Sequence, residues 1–171
     1  MLFQLNTLHQ SNWKLTFSNL PTIQQSDMYL FDNYVKSVTL PNYDLAEIYS
    51  YYKNIVVRQP ITRPNLDLPQ LQITFRTTED FQNYYKLMLW SMQIKYGQPD
   101  SSYSDLIRKY TIKAINLHLL DNEKRERCIT TFSNAFMSSI SSIGLEQGSD
   151  QEALFTSSFT YEEVTSKIIN I

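Results

Sequence analysis

The residue types that most often bind metals or act as nucleophiles are scarce in this chain. It has two histidines, His9 and His118, and a single cysteine, Cys128. No further ligand stands at a metal-site spacing from His118, so we expect a strand histidine with a satisfied hydrogen bond. One cysteine forms neither a disulfide framework nor a zinc site, and we expect Cys128 to be a small buried residue.

No catalytic or nucleotide-binding motif is present. The chain has no Gly-x-Ser-x-Gly, His-Glu-x-x-His or Walker pattern and only 3 glycines, whereas phosphate-cradling loops need glycine for close backbone approach. The acids Glu162 and Glu163 are adjacent, and neighbours in a strand point to opposite faces. The sequence therefore predicts a non-enzymatic protein with no cofactor and no metal site.

Charge and hydropathy are those of an ordinary globular chain. Of 171 residues, 42% are hydrophobic and 19% charged, and the net charge is -2, which does not favour a nucleic-acid binder. The mixed-sign run 123–127 is expected to be a solvated hairpin, with a salt-bridged rim patch as the alternative. We expect no signal peptide, because residues 1–10 have neither a basic n-region nor a long apolar run. We expect no membrane partner, because no stretch approaches the ~20 apolar residues that span a bilayer.

A tyrosine-rich segment is the best candidate for a binding surface. Aromatic residues are enriched in the cores of protein–protein interfaces, although tyrosines on a loop can also be ordinary surface. Stacking on single-stranded nucleic acid is a third reading, but only Lys53 and Arg58 supply basic neighbours. The predicted subunit-interface residues are Pro41, Tyr43, Tyr49, Tyr51, Tyr52, Ile55, Val57 and Arg58.

Alternating apolar and polar residues predict most of the elements that would position this surface. Period-two patterns indicate strands at 13–17, 34–40 and 71–75, and the short apolar run 55–57 indicates another. Residues 42–52 are interpreted as a loop, and the prolines at 60, 64 and 69 keep the following segment extended.

One segment has helical periodicity. Apolar residues recur at helical spacing at Phe81, Tyr85, Met88 and Met92, after a cap-like Thr-Glu-Asp sequence. Gly97 and a following proline end the pattern. We predict a helix over 79–95.

The C-terminal half reads as a β-meander. A phase change in the strand 107–119 predicts a bulge near Ala114, and 121–124 and 148–150 are turn candidates. A corner is expected near Asn134, before a final strand over 154–161. The sum is seven or eight strands and one helix, which predicts a mainly β, antiparallel sandwich with one flanking helix in a single domain, 1–171.

The order and spacing of these elements resemble a known family. The strand-to-helix step, with Phe75, Glu79, Asp80 and Trp90, is the most telling part. The chain is similar to tail tube proteins of contractile-tailed phages and their baseplate tube-initiator relatives. The segments that carry the resemblance are Phe17–Pro21 (FSNLP), Val35–Pro41 (VKSVTLP), Leu71–Tyr84 (LQITFRTTEDFQNY) and Phe155–Tyr161 (FTSSFTY).

This resemblance implies a virion protein, made in the bacterial host cytoplasm, that assembles into homohexameric rings. The sheets would join across subunits into a β-barrel, with the helix outside between neighbours and 42–69 reaching the next ring. Implied partners are adjacent tube or baseplate rings, the tail sheath, and DNA and tape-measure protein in the lumen, without sequence-specific binding. The lumen lining should be polar and not basic, because cations would grip phosphates.

Three alternatives stay open at this point. Asn42 and the prolines within 60–69 stand where the family often has glycine, which leans towards a specialised tube-initiator ring in the baseplate. A secretion-system tube with the same fold is a variant of the same reading. A monomeric β-sandwich binding module is the second hypothesis, and an enzyme ranks last because no set of acid, base and nucleophile is visible.

Overall fold

The computed structural model describes residues 11–21, 23–41, 47–52, 55–60, 70–96, 110–146 and 150–169, with only the backbone described for 47–52 and 55–60. These residues form nine strands and two α-helices. The strands are β1 (Trp13–Phe17), β2 (Val35–Thr39), β3 (Glu47–Tyr52), β4 (Ile55–Pro60), β5 (Leu71–Arg76), β6 (Ile112–Leu120), β7 (Glu126–Ile140), β8 (Leu154–Thr160) and β9 (Glu163–Ile168). The helices are α1 (Tyr29–Asp32) and α2 (Gln82–Tyr96).

Seven strands form one antiparallel network that folds over on itself at β7. The first sheet has the order β1-β6-β7-β9, and the second has the order β7-β8-β5-β2. Strand β7 belongs to both sheets and changes between them at Asn134, whose φ is 50°. Strands β3 and β4 pair with each other as a separate hairpin.

The core between the two sheets is aromatic. Phe17 of β1 stacks 6.4 Å from Phe75 of β5, and Phe75 stacks 5.2 Å from Phe155 of β8. Helix α2 covers part of this core with Trp90, which is fully buried 6.4 Å from Phe159. The alternating patterns of β1, β5 and β8 therefore each place one face in a shared apolar layer.

The mainly β, antiparallel fold is confirmed, and so are several local predictions. The predicted strands at 13–17, 34–40 and 71–75 are β1, β2 and β5, and the corner near Asn134 is where β7 changes sheets. The residues predicted to share one face of the last strand are all buried. They are Phe155, Ser157, Phe159 and Tyr161.

Other local predictions were wrong. Residues 47–52 are strand β3 rather than loop, and β9 and the short α1 were not predicted. The register of β6 against β7 is continuous at Ala114 and shifts instead between Leu119 and Leu120. The buried positions of β6 change parity between Ile112 and Ile115, opposite the left-handed residue Asn134 of β7. The predicted turn at 148–150 lies mostly outside the described residues.

The predicted helix is present as α2, which begins at Gln82 instead of 79. The residues before it form a turn in which the Phe81 amide donates to the Thr78 carbonyl (2.9 Å), and Phe81 has a φ of 57°. Buried Asn83 fastens this turn to β5, since its Nδ2 donates to the Arg76 carbonyl (2.7 Å) and its Oδ1 accepts from the Thr78 amide (3.2 Å).

Within the described part of the chain, no helix has the length and apolar character needed to cross a membrane.

Candidate functional site

The described residues hold no cluster of three or more histidine, cysteine, aspartate or glutamate side chains that could bind a metal ion. Cys128 is a half-buried free thiol paired in register with Leu119. The features that remain are extended surfaces: one sheet face, two sheet edges and one helix face.

The outward face of the first sheet is mostly polar. Residues paired across neighbouring strands share a face, and Leu15, Leu117 and Phe132 mark the side that points into the core. The opposite side is called the polar sheet face. Its members are Lys14, Thr16, Ala114, Asn116, His118, Ile129, Thr131, Ser133, Glu163, Thr165 and Lys167.

Side chains on the polar sheet face bind one another across strands. The Thr16 hydroxyl lies 3.0 Å from His118 Nε2, and the Thr131 hydroxyl donates to Asn116 Oδ1 (2.9 Å). This confirms a strand histidine with a hydrogen bond. Glu126 Oε1 lies 3.0 Å from His118 Nδ1, close enough for an ion pair with a protonated imidazole, although the two atoms are not aligned as a hydrogen bond.

Formal charge on the polar sheet face nearly cancels. Lys14 stands on β1 and Lys167 on β9, while Glu163 and the nearby Glu126 contribute carboxylates. A surface of hydroxyl and amide groups with balanced charge has little long-range attraction for a polyanion.

A charged hairpin between β6 and β7 lies at one end of this face. The Asp121 carboxylate accepts hydrogen bonds from the Glu123 amide (2.8 Å), the Arg125 amide (2.9 Å) and Arg127 Nε (3.0 Å). The Arg125 amide is the main cause of a lowered Asp121 pKa, and the Arg127 side chain contributes. Residues 122–127 are exposed, as predicted for a solvated hairpin. Arg125 pairs with Glu123 and Arg127 with Asp121, so the alternative of a salt-bridged patch is present in the same hairpin.

Strand β9 forms an open edge of the first sheet. All six of its residues are exposed, and among the described strands it pairs only with β7. The bond from the Ile169 amide to the Arg127 carbonyl (2.8 Å) fixes the pairing phase, so the amides of Val164, Ser166 and Ile168 point away from β7. Val164 and Ile168 are 36% and 74% exposed although they share the core-facing side of the sheet.

Strand β1 forms the opposite edge, and a groove runs beside it. The groove, here called the β1 groove, is open to solvent and has a volume of about 460 Å³. At one end of β1, Asp32 Oδ1 accepts a hydrogen bond from the Phe17 amide (3.3 Å), and burial raises the Asp32 pKa against the lowering effects of that amide and of Lys14. The lining residues are Ser11, Trp13, Lys14, Leu15, Asp32, Val35 and Lys36.

Helix α2 presents an apolar face to solvent. Its inner side is formed by Asn83, Leu87 and Trp90, so most of the apolar residues that predicted the helix lie on the other side. This exposed row, here called the helix stripe, contains Phe81 (39% exposed), Tyr85 (54%), Leu89 (38%), Met92 (46%) and Tyr96 (70%). A continuous apolar row of this kind is typical of a protein contact surface.

The interface residues predicted from the sequence do not meet in one described site. Pro41 is half-buried after β2, and Tyr43 lies outside the described residues. The remaining six lie on the β3–β4 hairpin, where the backbone pairs Tyr49 with Arg58 and Tyr52 with Ile55. Their side chains lie outside the described part of the structure, so their role as an interface stays a prediction.

Sequence reasoning missed β9 and Asp32. Strand β9 has an alternation signal, with Val164, Ser166 and Ile168 on one parity, but Ser166 is polar and the other two extend beyond the core. Asp32 carries no sequence signal, because only the fold brings it to the amide of Phe17.

No family model and no curated protein matches the sequence. Among solved structures, a chain of the PVC sheath/tube terminator, from an extracellular contractile injection system, matches with TM-score 0.65 and 12% identity over 96% of this chain and 99% of that one. A chain of the PVC sheath–tube complex gives TM-score 0.64 and 12% identity over 95% and 93%. The tube-terminating cap of the anti-feeding prophage gives 0.63 and 12% over 96% and 93%.

These similarities confirm, at the level of the fold, the resemblance seen in the sequence. The chain therefore has the fold found in tube, terminator and baseplate assemblies of contractile injection systems.

Proposed function

We propose that this protein is a structural subunit of the tube of a contractile tail or injection system and acts by assembling into rings around a channel. The observation that carries the proposal is the polar sheet face, which is flanked by two strand edges on opposite sides of one four-stranded sheet.

Ring closure accounts for both the edges and the polarity. If first sheets join edge to edge around an axis, the unpaired edges become a continuous barrel. One side of the first sheet packs against the hydrophobic core, so the side of this sheet that is free to line the channel is the polar sheet face. Six copies per ring is the number that the family resemblance implies.

The channel wall would be hydroxyl-rich and close to neutral. Thr16, Asn116 and Thr131 are bonded within the wall, and the lysines of β1 and β9 are balanced by carboxylates. Such a wall lets a polymer pass without sequence-specific binding, in agreement with DNA or a tape-measure protein as occupants.

The remaining surfaces would contact other subunits. The helix stripe would be covered between neighbouring subunits, because permanent interfaces are more apolar than transient ones. The β3–β4 hairpin would extend to the adjacent ring, and the outer surface would contact a sheath.

A specialised ring at one end of the tube is the second candidate. The terminator chain and the tube-terminating cap match with TM-scores of 0.65 and 0.63, against 0.64 for the sheath–tube chain, and a baseplate chain matches with 0.56. The fold alone does not favour the repeated tube over a terminal ring. A ring that fails to stack would identify the terminal role.

The test is the mass of the purified protein in solution, measured together with negative-stain images of the same sample over a range of concentrations. Rings or tubes with a central channel are expected. A protein that stays monomeric at high concentration, and that also fails to assemble on preformed tube or baseplate complexes, would contradict the proposal and support a monomeric binding module.

A further inference from the structure

The two edges of the first sheet have compatible strand directions. Each strand in the order β1-β6-β7-β9 is antiparallel to the next, so β1 and β9 run in opposite directions. Rotation about a ring axis preserves these directions, and β9 of one copy therefore meets β1 of its neighbour as an antiparallel pair. Their lengths also agree, with five residues in β1 and six in β9.

The apolar residues of the two edges are complementary. On β9, Val164 and Ile168 belong to the core-facing side of the sheet, yet 36% of Val164 and 74% of Ile168 are exposed among the described residues. The β1 groove offers the half-buried side chains of Trp13 and Val35, whereas Leu15 is already covered. A docked β9 would place its two apolar side chains against Trp13 and Val35 and remove the exposed parts of both surfaces from water.

The charges of the two edges restrict the register. Lys14 and Asp32 line the β1 groove, and β9 begins with Glu163 and carries Lys167 near its end. Because the pair is antiparallel, full overlap of the strands places Lys167 opposite Lys14 and Glu163 near Asp32. Like charges opposite each other are unfavourable, so charge favours a register shifted from full overlap.

Asp32 occupies this edge in the free subunit. The phase of the β1–β6 pairing, set by the bond from the Ser18 amide to the Ala114 carbonyl (2.9 Å), directs the amides of Trp13, Leu15 and Phe17 away from β6. The Asp32 carboxylate accepts from the Phe17 amide (3.3 Å). It thus takes up one of the donors that an added strand would use.

We propose that β9 of one copy docks into the β1 groove of the next copy, antiparallel to β1, and that Asp32 restrains this edge until β9 replaces it. This inference rests on the proposed ring function and names the two strands that form the seam between subunits. A charged group at a strand edge is a known means of limiting uncontrolled strand pairing.

Cysteine pairs test the seam directly. In a Cys128→Ser background, Lys14→Cys is combined in turn with Glu163→Cys, Thr165→Cys and Lys167→Cys, which covers three possible registers. Within one subunit, β1 and β9 are separated by three strand spacings, about 14 Å, and a disulfide needs Cα atoms within about 7 Å. Any β1–β9 disulfide must therefore join two copies.

Mild oxidation of assembled protein should give a ladder of covalent oligomers up to the full ring for one of the three pairs. The matched control joins Thr165→Cys to Thr39→Cys on β2, the edge of the second sheet, and should stay monomeric on a denaturing gel. Rings that form without a β1–β9 ladder, or a ladder from the β2 control, would overturn the seam and leave the ring function standing. Absence of rings in the parent Cys128→Ser protein would count against the proposed function itself.

The role of Asp32 is tested by assembly rate. Asp32→Ala removes the acceptor and the charge, and we expect rings to form faster, or at lower protein concentration, in light-scattering time courses. Asp32→Asn keeps an acceptor for the Phe17 amide and should give a smaller increase. If correctly folded Asp32→Ala protein assembles at the parental rate or more slowly, Asp32 does not restrain the edge.

Discussion

The two edges of the first sheet differ in how they are protected. Strand β1 is partly buried, with Leu15 1% exposed, and Asp32 holds one of its outward amides. Strand β9 is exposed along its whole length. A contact that closes a ring joins two different surfaces of the same protein. The exposed strand β9 of one subunit can therefore pair with the groove-lined strand β1 of its neighbour.

A proline in β9 should have the largest effect. In Ser166→Pro, the lost amide is one that points away from β7, so the subunit keeps its fold while the outer edge loses a donor. We expect complete loss of rings, measured by size-exclusion chromatography with light scattering, with a circular dichroism spectrum like that of the parent.

The adjacent position supplies the control. The amide of Thr165 points towards β7, so Thr165→Pro should lower the melting temperature of the subunit itself. Rings from Ser166→Pro, or a collapse of its melting temperature to that of Thr165→Pro, would show that β9 is not a donating edge.

Truncating one apolar residue on each edge should show that β1 supports the fold of the subunit more than β9 does. Phe17 is 6% exposed and packs on Phe75 and Phe159, so Phe17→Ala should lower the free energy of unfolding by about 3–5 kcal/mol. Ile168 is 74% exposed, and Ile168→Ala should change that free energy by less than about 0.5 kcal/mol while weakening assembly. Denaturant titration and ring yield measure the two effects, and equal unfolding losses would remove the distinction between the edges.

The charge on Asp32 should produce a smaller, pH-dependent effect. Burial raises the Asp32 pKa in the folded subunit, so the folded state binds this proton more tightly than the unfolded chain does. The carboxyl group therefore costs stability as the pH rises from the ordinary aspartate range through the raised value. Asp32→Asn should be at least as stable as the parent at neutral pH and lose that advantage in acid.

Thermal unfolding of both proteins over a pH series measures this difference. The other shifted carboxyl groups, Asp80, Asp121 and Glu152, have lowered pKa values and lose their stabilising contribution as the pH falls. They are present in both proteins, so they cancel in the comparison. An Asn variant that gains stability over the parent only in acid would contradict the assignment.

The smallest effect is expected at Lys36, beside the β1 groove. Its ammonium group lies 3.1 Å from Glu152 Oε2 on an exposed surface, where ion pairs contribute little to stability. Lys36→Ala should leave the melting temperature almost unchanged and reduce the salt dependence of assembly. A large fall in melting temperature would mean that this lysine supports the fold rather than the seam.

Sequence periodicity predicted the parts of the fold that bury one face completely. Strands β1 and β5 alternate between apolar and polar residues because one side of each lies in the aromatic core. Strand β9 was not predicted because Val164 and Ile168 extend beyond that core and stay exposed, so its inward positions are not consistently apolar. The apolar period of α2 identified a helix, yet most of those residues form the exposed helix stripe, since periodicity does not say which of two faces is covered within the subunit.

The candidate surfaces were less predictable than the fold. The polar sheet face depends on register, which aligns Thr16 with Asn116 and Asn116 with Thr131 across strands far apart in sequence. The contact between Asp32 and the Phe17 amide depends on α1, whose four residues are too short to give a helical period. Long-range pairing of this kind is not encoded in any local window of the sequence.

Strand β7 gives the subunit a mechanical property that neither sheet has alone. Because one unbroken backbone of fifteen residues belongs to both sheets, a force along the first sheet reaches the second through covalent bonds and not only through side-chain packing. Sliding one sheet over the other would require the backbone at Asn134 to leave its left-handed conformation. The covalent backbone of β7 therefore opposes sliding of one sheet over the other. A force applied at β9 reaches β8 and β5 through β7 and the strand pairs on either side of it.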